Sequence, residues 1–133
     1  MNLLARNTDY AVRAMLYMVG KTPERVSTTE LDEALGLPRP FMRKTLQTLQ
    51  KAGYLASIKG KNGGFTLALS PEKIRLVDLM ALFQGTVSMG ECLFRKKVCG
   101  CAGSCPLRKE LKQAEVLAVG HLRTVTLASL AKG

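Results

Sequence analysis

Two short apolar stripes, each closed by a glycine, with a hairpin signal directly after the second, constrain this chain more than any other feature. The first stripe is Leu31, Ala34 and Leu35, stopped by Gly36. Ahead of it, Ser27-Thr28-Thr29-Glu30 matches a capping box, a hydroxyl at the helix entry with a glutamate three residues on. Leu37-Pro38-Arg39-Pro40 is a tight turn, and Pro40 suits the opening of a second helix. In that helix Met42, Leu46 and Leu49 recur on one face until Gly53. Two short helices joined in this way make a helix-turn-helix. Residues 54–58 and 65–69 then read as strands around Lys59-Gly60-Lys61-Asn62-Gly63-Gly64, whose Asn-Gly pair is the strongest short-range hairpin signal.

The flanks complete the pattern. Asn7-Thr8-Asp9-Tyr10 opens a first helix, with Thr8 or Asn7 as its cap and Asp9 in the first turn, where negative charge is favoured. Ala11, Ala14, Met15 and Met18 form its buried stripe, which ends near Gly20. Leu76, Leu79, Met80 and Phe83 mark a helix up to Gly85. Another runs from Pro106 to about Val119, roughly 20 Å at 1.5 Å per residue, and a short last helix starts near Thr126. The long helix is amphipathic at first (Leu107, Leu111, Ala114), then nearly apolar all round to Val119 apart from Glu115. It needs cover on two sides, best supplied by a second copy of the chain. The expected fold is mostly α with a small β-hairpin wing. A winged helix-turn-helix domain spans 1–85, a cysteine-containing cofactor loop 86–104, and a dimerisation helix with a C-terminal tail 105–133.

Charge points to the partner. Twenty basic residues against ten acidic ones give a formal charge of +10, which favours a polyanion. From Ala34 to Pro71 stand Arg39, Arg43, Lys44, Lys51, Lys59 and Lys61 with no acid among them. On the second helix of the pair, Arg43, Lys44, Gln47, Thr48 and Lys51 lie opposite the apolar stripe. They suit a recognition helix, since arginine and lysine bond guanine, glutamine pairs with adenine, and spare cations reach phosphates. Ser27, Thr28 and the first amides of the preceding helix offer a phosphate anchor. Lys59, Lys61 and Asn62 on the wing reach a neighbouring groove or the backbone. With no secretory signal, no apolar run long enough for a membrane span and no small-molecule site, the chain is expected in the cytoplasm. An enzyme is not expected: no Ser/His/Asp grouping, carboxylate pair or phosphate-cradling loop occurs, and His121 is the one histidine. His121, Tyr10 and Tyr17 read as helix-end or packing residues.

All four cysteines, Cys92, Cys99, Cys101 and Cys105, fall within fourteen residues. In a reducing compartment such a cluster points to metal ligation rather than disulfides. Thiolates favour zinc or iron–sulfur iron. Zinc sites commonly use two short Cys-x2-Cys pairs, and this segment has neither, so the wider spacing fits a cluster better. Cys105 stands at the entry of the long helix, where the dipole favours a thiolate. A zinc site or a thiol/disulfide redox switch is the alternative, and a non-DNA-binding iron–sulfur carrier a more remote one, since a carrier needs neither a basic helix nor a wing.

The opening Ala-Arg-Asn-Thr-Asp-Tyr-Ala-Val-Arg-Ala-Met, Gly53-Tyr-Leu with the wing Lys59-Gly-Lys-Asn-Gly-Gly-Phe, the spaced cysteines and Thr124-Val-Thr-Leu-Ala-Ser-Leu resemble the Rrf2 family of bacterial regulators. The resemblance implies a homodimer whose long helices cross, binding a palindromic site in double-stranded promoter DNA, commonly as a repressor. It further implies a 2Fe–2S or 4Fe–4S cluster on Cys92, Cys99 and Cys105 that reports iron, nitric oxide or redox state. Relatives take a fourth ligand from a histidine three residues after the last cysteine, here Arg108, or from an aspartate on the partner's first helix, which Asp9 matches. Cys101 is a further candidate.

Overall fold

The computed structural model describes residues 3–87 and 104–133. Six helices and one hairpin make up the described fold: α1 (Arg6–Lys21), α2 (Thr28–Leu35), α3 (Arg39–Lys51), β1 (Leu55–Ile58), β2 (Gly64–Leu67), α4 (Leu76–Gln84), α5 (Pro106–Leu122) and α6 (Leu127–Lys132). A 3-10 turn over Pro71–Lys73 leads into α4. This is the mostly α, winged-helix architecture expected, and α1 lies at its centre against α2, α3, α4 and α6. Ala11, Ala14, Met15 and Met18 of α1 are all buried, together with Leu31, Met42, Leu46, Leu49, Ile74, Leu79 and Leu127. Apolar residues at helical spacing on four helices thus close around one central rod.

The start of α1 departs from expectation. Neither Asn7 nor Thr8 caps it; the N-cap is Ala5, which offers no side-chain acceptor. The missing acceptor arrives from α4, where Gln84 Oε1 takes hydrogen bonds from the Ala5 amide and from the Thr8 hydroxyl, both at 2.8 Å. Its amide nitrogen donates to the Leu3 carbonyl at 3.0 Å. Thr8 is fully buried, so its hydroxyl needs that partner. Gln84→Leu is expected to lower stability by about 1–2 kcal/mol, measured by urea unfolding, because it strands a buried hydroxyl. In a Thr8→Val background the same change should cost less, and equal costs in both would exclude the coupling.

Only half of the anticipated capping box forms at α2. Ser27 Oγ accepts from the Glu30 amide at 3.1 Å, but the Glu30 carboxylate accepts from the Tyr17 hydroxyl instead, at 2.9 Å. That hydrogen bond raises the Tyr17 phenol above its ordinary value. The full box appears at α6, where Thr126 and Ser129 exchange side-chain and backbone bonds. The α5 helix runs three residues past the expected end, to Leu122.

The wing is an antiparallel pair in which Leu55 faces Leu67 and Ile58 faces Gly64. Val26 adds a single-residue bridge, its amide donating to the Phe65 carbonyl at 2.9 Å and its carbonyl accepting from the Phe65 amide at 2.8 Å. The hairpin is therefore stitched to the segment that enters α2. Its tip is not an Asn-Gly turn: Gly60 carries φ +116°, and the Gly63 amide closes the turn onto the Gly60 carbonyl with Lys61 and Asn62 between. The C-terminal segment returns to the core, with the Leu76 amide donating to Val125 at 2.9 Å and the Leu127 amide to Ile74 at 2.8 Å. No helix among the described residues is long and apolar enough to cross a membrane.

Candidate nucleic-acid interface

The buried stripe of α3 dictates what its other face offers. With Met42, Thr45, Leu46 and Leu49 turned into the core, Arg43, Lys44, Gln47 and Lys51 are exposed. Thr48 is partly covered, and its hydroxyl is turned back onto the Lys44 carbonyl at 2.9 Å. Arg39, Arg43 and Gln47, four residues apart, share one line along the helix. Lys59, Lys61 and Asn62 are exposed at the wing tip. Ser27 is the N-cap of α2 with its oxygen occupied by the Glu30 amide, and Thr28 follows as the first helical residue.

Two features of this face were not read from the sequence. Phe41, on the exposed edge of α3, is 49 % accessible and packs against Tyr10 with ring centroids 6.4 Å apart. Position 41 falls outside the Met42–Leu46–Leu49 spacing, which was the available signal. The second is an ion pair across the helix-turn-helix: Arg39 Nε donates to Asp32 Oδ2 at 2.8 Å. Charges seven residues apart with a proline turn between them give no local pattern.

Of the candidate ligands, Cys105 lies in the described residues. Cys92, Cys99 and Cys101, with most of the 86–104 loop, lie outside them. Cys105 is the N-cap of α5, partly exposed and free of any disulfide. Among the described residues no three His, Cys, Asp or Glu side chains gather into a metal-binding group. Asp9 sits in the first turn of α1, where Arg13 Nε donates to its carboxylate at 2.8 Å. The same hydrogen bond raises the Arg13 guanidinium above its ordinary value. Arg108 is exposed on the first turn of α5, and His121 lies in the last turn. The length of the helix, roughly 24 Å at 1.5 Å per residue, separates His121 from Cys105 and removes it as a co-ligand within one chain. No residue of α5 is buried, and Leu107 and Leu117 are 68 % and 75 % accessible.

A basic second helix in a helix-turn-helix, braced by a basic hairpin, defines a winged-helix DNA-binding protein. The sequence pattern of the Rrf2 family, described as iron-dependent transcriptional regulators, matches residues 4–133, and the chain belongs to that family. Protein aau3 of Rhizobium meliloti (strain 1021) is 30 % identical over 112 residues, 84 % of this chain and 73 % of its own length. CymR, the global cysteine regulator of B. subtilis, has the same fold with a TM-score of 0.83 at 22 % identity, over 99 % of this chain and 98 % of that one. The T. potens IscR structure matches with a TM-score of 0.75 at 22 % identity, over 97 % and 85 %. The protein is thus a DNA-binding transcriptional regulator.

Proposed function

We propose that this regulator works as a homodimer on a palindromic promoter site, most simply as a repressor, and that an iron–sulfur cluster held by Cys92, Cys99 and Cys105 sets its affinity for DNA. The observation that carries the reading is α5: a helix with no buried residue, a row of bare leucines, and a thiol at its entry. One element thus presents both the surface a second copy would cover and a ligand for the cofactor. Asp9 of the partner or Cys101 would complete the donor set; for Asp9 this means giving up Arg13. The cluster would supply a crosslink of the 86–104 segment that iron loss, nitric oxide or oxidation can undo. Arg39, Arg43, Lys44, Gln47, Thr48 and Lys51 would face the major groove. Lys59, Lys61 and Asn62 would meet the flanking groove, and Ser27 and Thr28 a phosphate. Two recognition helices must then match half-sites about 34 Å apart, or a multiple of that distance.

The test is anaerobic purification followed by iron and sulfide counts, visible spectra and DNA binding. Cys92→Ser, Cys99→Ser and Cys105→Ser are each expected to abolish the visible absorption and to change the affinity for a selected duplex at least about fivefold, as a coupling of about 1–3 kcal/mol requires. A colourless wild-type protein after reconstitution removes the cluster. An affinity indifferent to its loss leaves a cofactor without a switch. The fourth thiol, Cys101, favours a second reading, zinc or a disulfide switch on the same DNA-binding frame; elemental analysis and mass with and without reductant separate the two.

A further inference from the structure

The ion pair between α2 and α3 is built unevenly. The Asp32 side chain is 10 % accessible, and its second oxygen, Oδ1, is buried with no hydrogen-bond partner among the described residues. The Arg39 side chain is 68 % accessible. An arrangement selected for stability alone would not bury a carboxylate oxygen unsatisfied while leaving the cation in solvent. What it achieves is orientation: a fixed carboxylate at the base holds a guanidinium facing outwards from the first position of the recognition helix.

We propose that Asp32 is a positioning residue for sequence readout, holding Arg39 so that its two terminal nitrogens meet the edge of a guanine in the major groove. The inference rests on the DNA-binding reading above. Its geometry follows from which nitrogen is used. With Nε committed to Asp32 at 2.8 Å, the free edge of the guanidinium is the Nη pair, and guanine presents two acceptors, O6 and N7, to such a fork. Recognition helices of this class touch bases through their N-terminal residues, and Arg39 is the first residue of α3. Asp32 also offsets the repulsion between Arg39 and Arg43 one turn on. A guanidinium held in place before binding loses less side-chain freedom when it docks.

The test uses the full chain, both reduced without cofactor and reconstituted with iron and sulfide. The wild type first selects duplexes from a pool with a randomised core, and affinities are then measured for every single-base-pair change in the selected site. Arg39 predicts a guanine at one position of each half-site, favoured about 10- to 100-fold, the range of one bidentate pairing. Asp32→Ala should flatten that position alone, while affinity for random duplex in low salt stays level or rises because a negative charge has gone. Arg39→Lys, which keeps the charge and loses the fork, should flatten the same position, and adding Asp32→Ala to it should change nothing further. A full preference pattern in either single variant overturns the proposal. A uniform loss across all sequences overturns it too, by assigning the pair to a phosphate or to folding. If the wild type enriches no duplex in either state, the DNA-binding reading itself falls, a result distinct from enrichment with no effect at Asp32.

Discussion

Arg43→Ala combined with Lys61→Ala is expected to weaken binding to a selected duplex by about three orders of magnitude. The two side chains stand on different elements, α3 and the wing, and both are exposed. Removing the hydrogen bonds that Arg43 would make to a base edge should cost about 1–3 kcal/mol per half-site. Lys61, a point charge on a turn, would act through phosphates without regard to sequence. The two changes should therefore differ in kind as well as in size. Arg43→Ala should relax the preference at one position of each half-site. Lys61→Ala should weaken all sequences alike and reduce the slope of log affinity against log salt by about 1 for each wing engaged. Fluorescence anisotropy over a salt series measures both. An unchanged affinity in the double variant would remove α3 and the wing from the DNA-facing surface.

Gly64→Ala is expected to destabilise the fold by about 3 kcal/mol, lowering the melting temperature by about 10 °C. A β-carbon at Gly64 would stand 2.6 Å from the Val26 carbonyl oxygen and 2.9 Å from its carbon. Both atoms are backbone, and they form the bridge that ties the wing to the entry of α2. Relief would require the hairpin to peel away from α2. The contrast is Gly20, exposed near the end of α1 with nothing within 4 Å of its added carbon. Gly20→Ala should stabilise by about 0.5–1 kcal/mol through helix propensity and a less free unfolded chain. Thermal melts of the two variants should therefore move in opposite directions, and a Gly64→Ala melt at or above the wild-type temperature would refute the packing argument.

What the sequence disclosed was governed by distance along the chain. The α3 helix was legible because Met42, Leu46 and Leu49 repeat at helical spacing and Gly53 follows. Ser27 and Thr126 were legible as helix entries because a hydroxyl cap acts on amides two or three residues away. Gln84 was not, since it serves an amide 79 residues earlier, and no local pattern encodes so remote an acceptor. The Val26 bridge escaped because one residue cannot display a strand's alternation. Asn62-Gly63 marked the hairpin correctly but misplaced its turn, because Gly60 takes the left-handed conformation that an Asn-Gly turn would have required of Asn62. The exposed face of α3 was readable as the complement of the buried stripe. Phe41 and Asp32 were not, because their roles depend on how α1 and α2 sit beside α3.

The stitch between Ile74–Leu76 and Val125–Leu127 has a mechanical corollary. Its hydrogen bonds join the lead-in to α4 to the segment that leaves α5, so the two are moored to each other. A load on the exposed length of α5 would therefore reach the core at that mooring, as an oar bears on its rowlock. Two copies joined through their oars would then move the grooves' readers as intact blades, altering their spacing while each keeps its own shape.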